Sequence, residues 1–130
     1  EGVPQSVQAI AEQLLQSDGI IMSSPEYNYS ISGVLKNTID WLSKIPSAPL
    51  NKKPLGIMGA TPGNFGTVRG QMALRHVCVF TNMIPMNRPE MLLARAHEKF
   101  DPSGQLLDES SQKVLKTFLD AFYQWVQDHR

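Results

Sequence analysis

Two loops rich in glycine, proline and polar residues contain the residues best suited to binding a ligand. Pro25–Ser30 follows one short apolar segment, and Thr61–Thr67 follows another. Gly59, Gly63 and Gly66 lie in or beside the second loop, where missing side chains let a flat or anionic ligand approach the backbone. Their spacing is not the dinucleotide-binding fingerprint, and the loop contains no Lys followed by Ser or Thr, so a P-loop is also excluded. Taken alone, each loop is more simply a connection between a strand and a helix.

The remaining reactive side chains predict no metal site and no nucleophile. Cys78 is the only cysteine, which excludes an internal disulfide, and its apolar neighbours favour an inert buried thiol. His76, His97 and His129 lack metal-ligand spacing. Glu26 is interpreted as a residue that positions the loop backbone or contacts another subunit, rather than as a catalytic acid. No catalytic acid or base is predicted.

Apolar segments alternate with amphipathic ones along the chain. Residues 20–24 and 54–60 predict strands, the first buried on both faces, and residues 83–86 predict a short third strand. The periodicity of the other segments predicts four helices, at Pro4–Ser17, Gly33–Lys44, Val68–Asn82 and Asp108–Gln127. This order is typical of an α/β fold, an open parallel sheet with helices on both faces. Ligands of such sheets bind beyond the carboxyl ends of the strands, where both loops lie.

Composition and net charge exclude several classes of function. The 130 residues make one domain, and 12 basic residues balance 12 acidic ones. A net charge of zero gives no attraction for nucleic acid or an anionic membrane, so neither is an expected partner. No apolar stretch approaches the roughly 20 residues that span a bilayer. We expect a cytoplasmic protein that acts on a small molecule.

Residues 24–43 add a specific motif to these observations. They read SPEYNYSISGVLKNTIDWLS, which closely resembles the signature of the NADPH-dependent FMN reductase family, including quinone, chromate and azo-dye reductases. Ser32 and Thr38 stand where that family usually has proline and alanine. The likeness continues through Lys53-Pro54, residues 59–69 and Arg88-Pro89-Glu90, and so covers most of the chain.

The resemblance implies a flavodoxin-like fold, FMN as cofactor and NAD(P)H as co-substrate. Electrons would pass through the flavin to a quinone, azo compound or metal oxyanion. It also implies a homodimer or homotetramer, in which Arg69 and Glu90 would join a polar network between subunits. Two groups of residues would line the isoalloxazine ring, Pro25, Glu26, Tyr27 and Asn28 on one side and Gly59, Ala60, Thr61 and Gly63 on the other.

One departure from the family pattern concerns the N-terminal βαβ portion, whose loop holds the FMN phosphate. That loop, of the type Gly-Ser-x-Arg-x-x-Ser, is absent from this sequence. We therefore expect this chain alone to bind FMN weakly or not at all, and the strand at residues 20–24 to have a free edge. Two alternatives remain open at this point: an electron carrier without NAD(P)H turnover, and a non-catalytic subunit with a flavin-binding fold.

Overall fold

Helices and strands alternate along residues 2–130, the part of the chain that the computed structural model describes. The order confirms the predicted α/β alternation, with a short 3₁₀ turn at Ala96–Glu98. The helices are α1 (Gln5–Gln16), α2 (Gly33–Leu42), α3 (Val68–Thr81) and α4 (Glu109–Asp128). The strands are β1 (Ile20–Ser23), β2 (Pro54–Ala60), β3 (Ile84–Pro85) and β4 (Met91–Leu93).

The sheet is parallel throughout and is built around β2. β1 pairs with β2 along its whole length, from Ile20 opposite Leu55 to Ser23 opposite Met58. On the other side β3 pairs with the beginning of β2, and β4 pairs with its end. The prediction of one strand at 83–86 was therefore incomplete: two short strands share that side of β2.

The residues of β2 alternate between two apolar cores. Leu55 and Ile57 pack among α1, α2 and α3. On the opposite face a side chain at Gly56 would meet Phe118 and Phe122 of α4. Helices therefore cover both faces, as predicted, with α4 alone on the second face.

The prediction that β1 is buried on both faces was wrong. Ile20 and Met22 pack against the core under α1 and α2, but Ile21 on the α4 side is 37% exposed. The reason is that α4 packs over β2 and β4, leaving β1 partly uncovered. β1 is also an edge strand of the sheet formed by residues 2–130.

Side chains cap two of the helices close to their predicted starts. The hydroxyl of Ser32 accepts a hydrogen bond from the Leu35 N–H at 3.3 Å, which starts α2. Asp108 accepts from the Ser111 N–H at 2.7 Å, which starts α4. Among residues 2–130, no helix combines the length and apolar character needed to cross a bilayer.

Candidate functional site

Both predicted loops lie at the same end of the sheet. Residues 25–30 follow β1 and residues 61–67 follow β2, and the two strands are parallel neighbours. Parallel pairing brings their carboxyl ends together, which is where ligands of open α/β sheets bind.

The first loop is a tight turn that leaves some backbone donors free. Tyr27 and Ser30 exchange hydrogen bonds, with N···O distances of 2.9 and 3.0 Å. Asn28 and Tyr29 between them have φ of 51° and 68°, the pair of left-handed conformations that such two-residue turns require. The N–H groups of Glu26 and Asn28 donate to no group among residues 2–130. This turn therefore presents backbone donors in a fixed arrangement.

Glu26 fastens this loop to the start of α3. Its Oε2 accepts hydrogen bonds from the N–H groups of Arg69 at 2.9 Å and Gly70 at 3.0 Å. Its Oε1 accepts a longer one from the Arg69 guanidinium at 3.3 Å. Unpaired N–H groups at a helix N-terminus favour a negative charge. The interpretation of Glu26 as a residue that positions the backbone agrees with these contacts.

The same contacts explain the acidity of this carboxyl. The hydrogen bond from the Gly70 N–H lowers the pKa of Glu26, the Arg69 side chain and N–H lower it further, and partial burial opposes them. The carboxylate is therefore ionised at neutral pH and holds the loop through charged hydrogen bonds.

Arg69 connects the two loops. Its guanidinium lies 4.2 Å from the ring centroid of Tyr29 in the first loop and 4.2 Å from that of Phe65 in the second. The contact of a cation with an aromatic face is attractive, and here one guanidinium contacts two rings. Within the chain Arg69 pairs with Glu26, and the network between subunits expected for Arg69 and Glu90 stays a prediction. The part that Phe65 plays was not predictable, because a lone aromatic between Asn64 and Gly66 carries no motif.

The second loop is held mainly by its backbone and by a buried polar pair. The Thr61 N–H donates to Leu93 O, and Gly63 O accepts from the Arg95 N–H, both at 2.9 Å. Buried Thr67 accepts from the amide of Gln71, whose NH₂ group also donates to Met91 O. The inward-facing Gln71 therefore ties α3 to β4 at the end of the sheet.

Gly59 and Gly63 have different reasons for lacking a side chain. A Cβ at Gly59 would collide with Thr67 Oγ1 and lie 2.8 Å from Ser24 O, so close packing inside the protein requires this glycine. A Cβ at Gly63 would meet only Thr61 Oγ1, at 3.7 Å, and would otherwise project into open space. The predicted freedom of approach thus holds at Gly63, whereas at Gly59 the glycine serves internal packing.

An apolar pocket of about 280 Å³ opens beside the second loop, on the α4 side of the sheet. Gly59 and Ala60 form part of its wall, with Met91, Leu106 and Leu115 among the facing side chains. The first loop instead lies toward α3, to which Glu26 is bonded. The predicted residues therefore share the carboxyl end of the sheet, where Gly59 and Ala60 border this pocket and the first loop lies beside the start of α3.

The reactive side chains outside this region form no second centre. In residues 2–130, no three side chains from His, Cys, Asp or Glu come together as a metal site. Cys78 is buried on α3, and desolvation raises the pKa of its thiol to about 11. It is therefore protonated at neutral pH, as expected for an inert thiol.

Comparison with known proteins identifies close relatives. Residues 1–98 match the family model of NADPH-dependent FMN reductases. The chain is 42% identical over 126 residues to the NAD(P)H-dependent FMN reductase PA1204 of Pseudomonas aeruginosa, covering 97% of this chain and 68% of that protein. It is also 42% identical over 128 residues to a quinone reductase of Escherichia coli K12, covering 98% of this chain and 68% of that protein.

Solved structures give the same fold. FerB, a flavoenzyme NAD(P)H:(acceptor) oxidoreductase from Paracoccus denitrificans, superposes with a TM-score of 0.87 at 31% identity, over 97% of this chain and 70% of that one. A general stress protein 14 from Treponema denticola, in complex with FMN, has a TM-score of 0.51 at 16% identity. It covers 95% of this chain and 73% of that chain, and at this identity it supports the fold alone.

Proposed function

This chain belongs to the NADPH-dependent FMN reductase family, and we propose that it contributes the flavin-ring site of an FMN-dependent NAD(P)H oxidoreductase that reduces quinones. The observation that carries the proposal is 42% identity to an FMN reductase and to a quinone reductase, over nearly the whole chain. FerB, a flavoenzyme, adds close structural likeness. Azo compounds and metal oxyanions are further acceptors suggested by the sequence motif.

The residues present suit the isoalloxazine ring of FMN. The ring has a polar edge that accepts hydrogen bonds, and the free N–H groups of Glu26 and Asn28 can supply them. Pro25 and Tyr27 complete this side of the proposed site. Bound FMN would accept hydride from NAD(P)H and pass electrons on, so the protein needs no acid or base of its own.

The second side of the proposed site is Gly59, Ala60, Thr61 and Gly63. Ala60 and Gly63 are exposed, and Gly63 has open space where a side chain would project. The Thr61 N–H donates to Leu93 O and its carbonyl oxygen accepts from the Ala96 N–H, so we assign Thr61 a contact through its side chain. The side chains of Glu26 and Arg69 act as positioning groups, because Glu26 bonds the start of α3 and Arg69 stacks on one aromatic ring from each loop.

We also propose that the working unit is a homodimer or homotetramer. We place it in the cytoplasm, which supplies NAD(P)H and keeps a lone thiol such as Cys78 reduced. Neither nucleic acid nor a membrane is among the proposed partners, because the charges balance.

The test is the visible absorption spectrum of the protein titrated with FMN and, separately, with lumiflavin, which has the ring but no phosphate. We expect a perturbed flavin band with both compounds and bleaching of the FMN band by NADPH without oxygen. A quinone should restore the band. Binding without bleaching would instead indicate an electron carrier, and no perturbation by either flavin would refute the proposed ring site.

A pair of variants localises the binding. Ala60→Trp adds bulk at an exposed position of the proposed site, and we expect it to weaken lumiflavin binding at least about tenfold, or roughly 1.4 kcal/mol. Lys113→Trp adds the same bulk at an exposed position on α4 and serves as the matched control. Equal affinities of the two variants would contradict the assignment of Ala60.

A further inference from the structure

Positive charge is concentrated in the segment that follows β4. Arg95, His97 and Lys99 alternate with other residues there, and Glu98 is the only acidic residue among them. This concentration is notable because the whole chain has no net charge. We call residues 95–99 the basic segment. The side chains of Arg95 and His97 are both 60% exposed, so a ligand in solution can reach them.

The basic segment is attached to the second loop by backbone hydrogen bonds. The Arg95 N–H donates to Gly63 O and the Ala96 N–H donates to Thr61 O, both at 2.9 Å. Arg95 has a φ of 52°, a left-handed conformation that residues other than glycine rarely adopt. The arginine side chain therefore starts from a fixed point beside Gly63, at the end of the sheet where the flavin ring is proposed to bind.

Three nitrogen atoms of the basic segment converge on one carboxylate oxygen. Glu98 Oε1 lies 2.7 Å from Arg95 Nη2, 3.1 Å from Arg95 Nε and 3.5 Å from His97 Nε2. The hydrogen bond from Arg95 lowers the pKa of Glu98, so the group held here at neutral pH is an anion. The charge of Lys99 acts on the same carboxylate. The segment is thus arranged around a negatively charged oxygen that the chain itself supplies.

We propose that the basic segment binds the 2′-phosphate of NADPH, with the phosphate replacing the Glu98 carboxylate beside Arg95. The inference rests on the proposed function, because it specifies which nicotinamide nucleotide that function uses. A guanidinium suits a phosphate, since it donates two parallel hydrogen bonds to the phosphate oxygens. A phosphate monoester carries about 1.5–2 negative charges at pH 7, against one on a carboxylate, and therefore competes well for the same donors.

Arg95 is available to a ligand, whereas Arg69, which also borders the second loop, is not. The pair of Arg95 with Glu98 is exposed, and exposed ion pairs are weak because water screens them. Arg69 instead bonds the well-buried carboxylate of Glu26 and contacts two aromatic rings. A phosphate therefore displaces the partner of Arg95 more easily than that of Arg69.

The same contact distinguishes NADPH from NADH. The two nucleotides differ only at the 2′ position of the adenosine, where NADPH has a phosphate and NADH has a hydroxyl. In dinucleotide-binding α/β folds a nearby arginine accommodates this phosphate. A hydroxyl offers Arg95 no charge, so with NADH the arginine keeps its pair with Glu98 and the segment adds nothing to binding.

The test is isothermal titration calorimetry of the flavin-free protein with adenosine 2′,5′-bisphosphate, which has the 2′-phosphate, and with AMP, which lacks it. We expect the bisphosphate to bind at least about tenfold more tightly than AMP, as charged hydrogen bonds to one phosphate allow. Equal affinities, no binding of the bisphosphate, or sulfate binding as tightly as the bisphosphate would overturn the proposal. Because no flavin is present, the result does not depend on the proposed flavin site.

Two variants of the basic segment should act in opposite directions. Arg95→Gln should weaken binding of the bisphosphate at least about tenfold and leave that of AMP unchanged. Glu98→Gln should strengthen it at least about threefold, because the competing carboxylate is removed. Arg130→Gln is the matched control, since Arg130 forms an exposed pair with Asp18 at 2.6 Å, before the start of β1. Weaker binding by Glu98→Gln, or equal effects of the two arginine variants, would contradict the assignment.

FMN also carries a phosphate monoester, and a further titration separates the two sources. On the proposal, Arg95→Gln binds FMN and lumiflavin as the wild-type protein does. If this variant weakens the binding of FMN but not that of lumiflavin, the basic segment holds the flavin phosphate and the proposal is overturned. In the flavin-loaded protein, Arg95→Gln should raise the KM for NADPH about tenfold without changing kcat, and should leave the KM for NADH unchanged.

Discussion

Replacing Glu26 by glutamine tests the contact that fastens the first loop to α3. The change keeps the size of the side chain and removes its charge. The glutamine oxygen can still accept both backbone N–H groups, as a neutral acceptor, but its NH₂ group replaces the oxygen that faces the Arg69 guanidinium. The variant therefore loses charged hydrogen bonds and gains an unfavourable pairing of two donors.

The magnitude follows from the geometry. Glu26 accepts two hydrogen bonds from backbone N–H groups at 2.9 and 3.0 Å, and its side chain is only 14% exposed. Hydrogen bonds to a charged group contribute about 1.5–3 kcal/mol each, and glutamine retains part of that contribution. A charge at a helix N-terminus adds about 0.3–1 kcal/mol. We expect Glu26→Gln to lower the free energy of unfolding by about 2 kcal/mol at pH 7.

The assay is urea unfolding of both proteins across a range of pH. Because the folded-state pKa of Glu26 is lowered, its contribution is complete above its ordinary pKa, near 4.5, and is lost as pH falls through the folded-state value. The wild-type advantage should thus be constant from about pH 6 upward and shrink in acid. Asp120→Asn is the matched control, since Asp120 forms an exposed pair with Lys116 and such pairs contribute about 0.3–0.5 kcal/mol. Equal losses for the two variants at pH 7 would refute the reasoning.

Three further predictions concern the framework of the site. Gly59→Ala should lower the free energy of unfolding by about 1–3 kcal/mol, because its Cβ collides with Thr67 and approaches Ser24 O; Gly63→Ala, with open space, should cost under about 1 kcal/mol in the same urea assay. Cys78 should react with a thiol reagent at pH 8 only after unfolding, since it is buried with a pKa of about 11; rapid labelling of the native protein would show that α3 opens. Lys53→Met should destabilise the protein by about 1–2 kcal/mol, because the Lys53 ammonium group donates to Leu14 O and Ser17 O at 2.6 Å, at the C-terminal end of α1. An unchanged urea midpoint would show that water satisfies these two carbonyl groups equally well.

The order of helices and strands was predictable because it depends on local patterns. The spacing of Val7, Ala11 and Leu14 marks α1, and Ser32 and Asp108 mark the starts of α2 and α4. The division into β3 and β4 was not predictable in the same way. β3 has two residues and β4 has three, which are too few to show a periodic pattern. Both strands form by pairing with β2, which is a long-range contact.

The extent to which individual apolar residues are buried was also not predictable from the sequence. Ile21 lies in an apolar run, like Ile20, but its exposure depends on where α4 crosses the sheet. Phe80 and Val79 continue the apolar composition of α3, yet they face outward because Leu74, Cys78 and Gln71 fix the rotation of the helix. An apolar composition therefore does not predict which of the apolar residues are buried in the core.

The motif marked the loop correctly because its residues are contiguous, but the contact that holds the loop lies far along the chain. Glu26 and Gly70 are 44 residues apart, and nothing in the spacing of either indicates the other. Their pairing arises because β1 and β2 are parallel neighbours, so that the loop after β1 meets the helix that follows β2. Gly70 permits the close approach, since a Cβ there would lie 3.1 Å from Ser30 O. The acidic residue of the motif thus serves the loop through α3, and any substitution that shifts α3 should disturb the loop as much as a change within it.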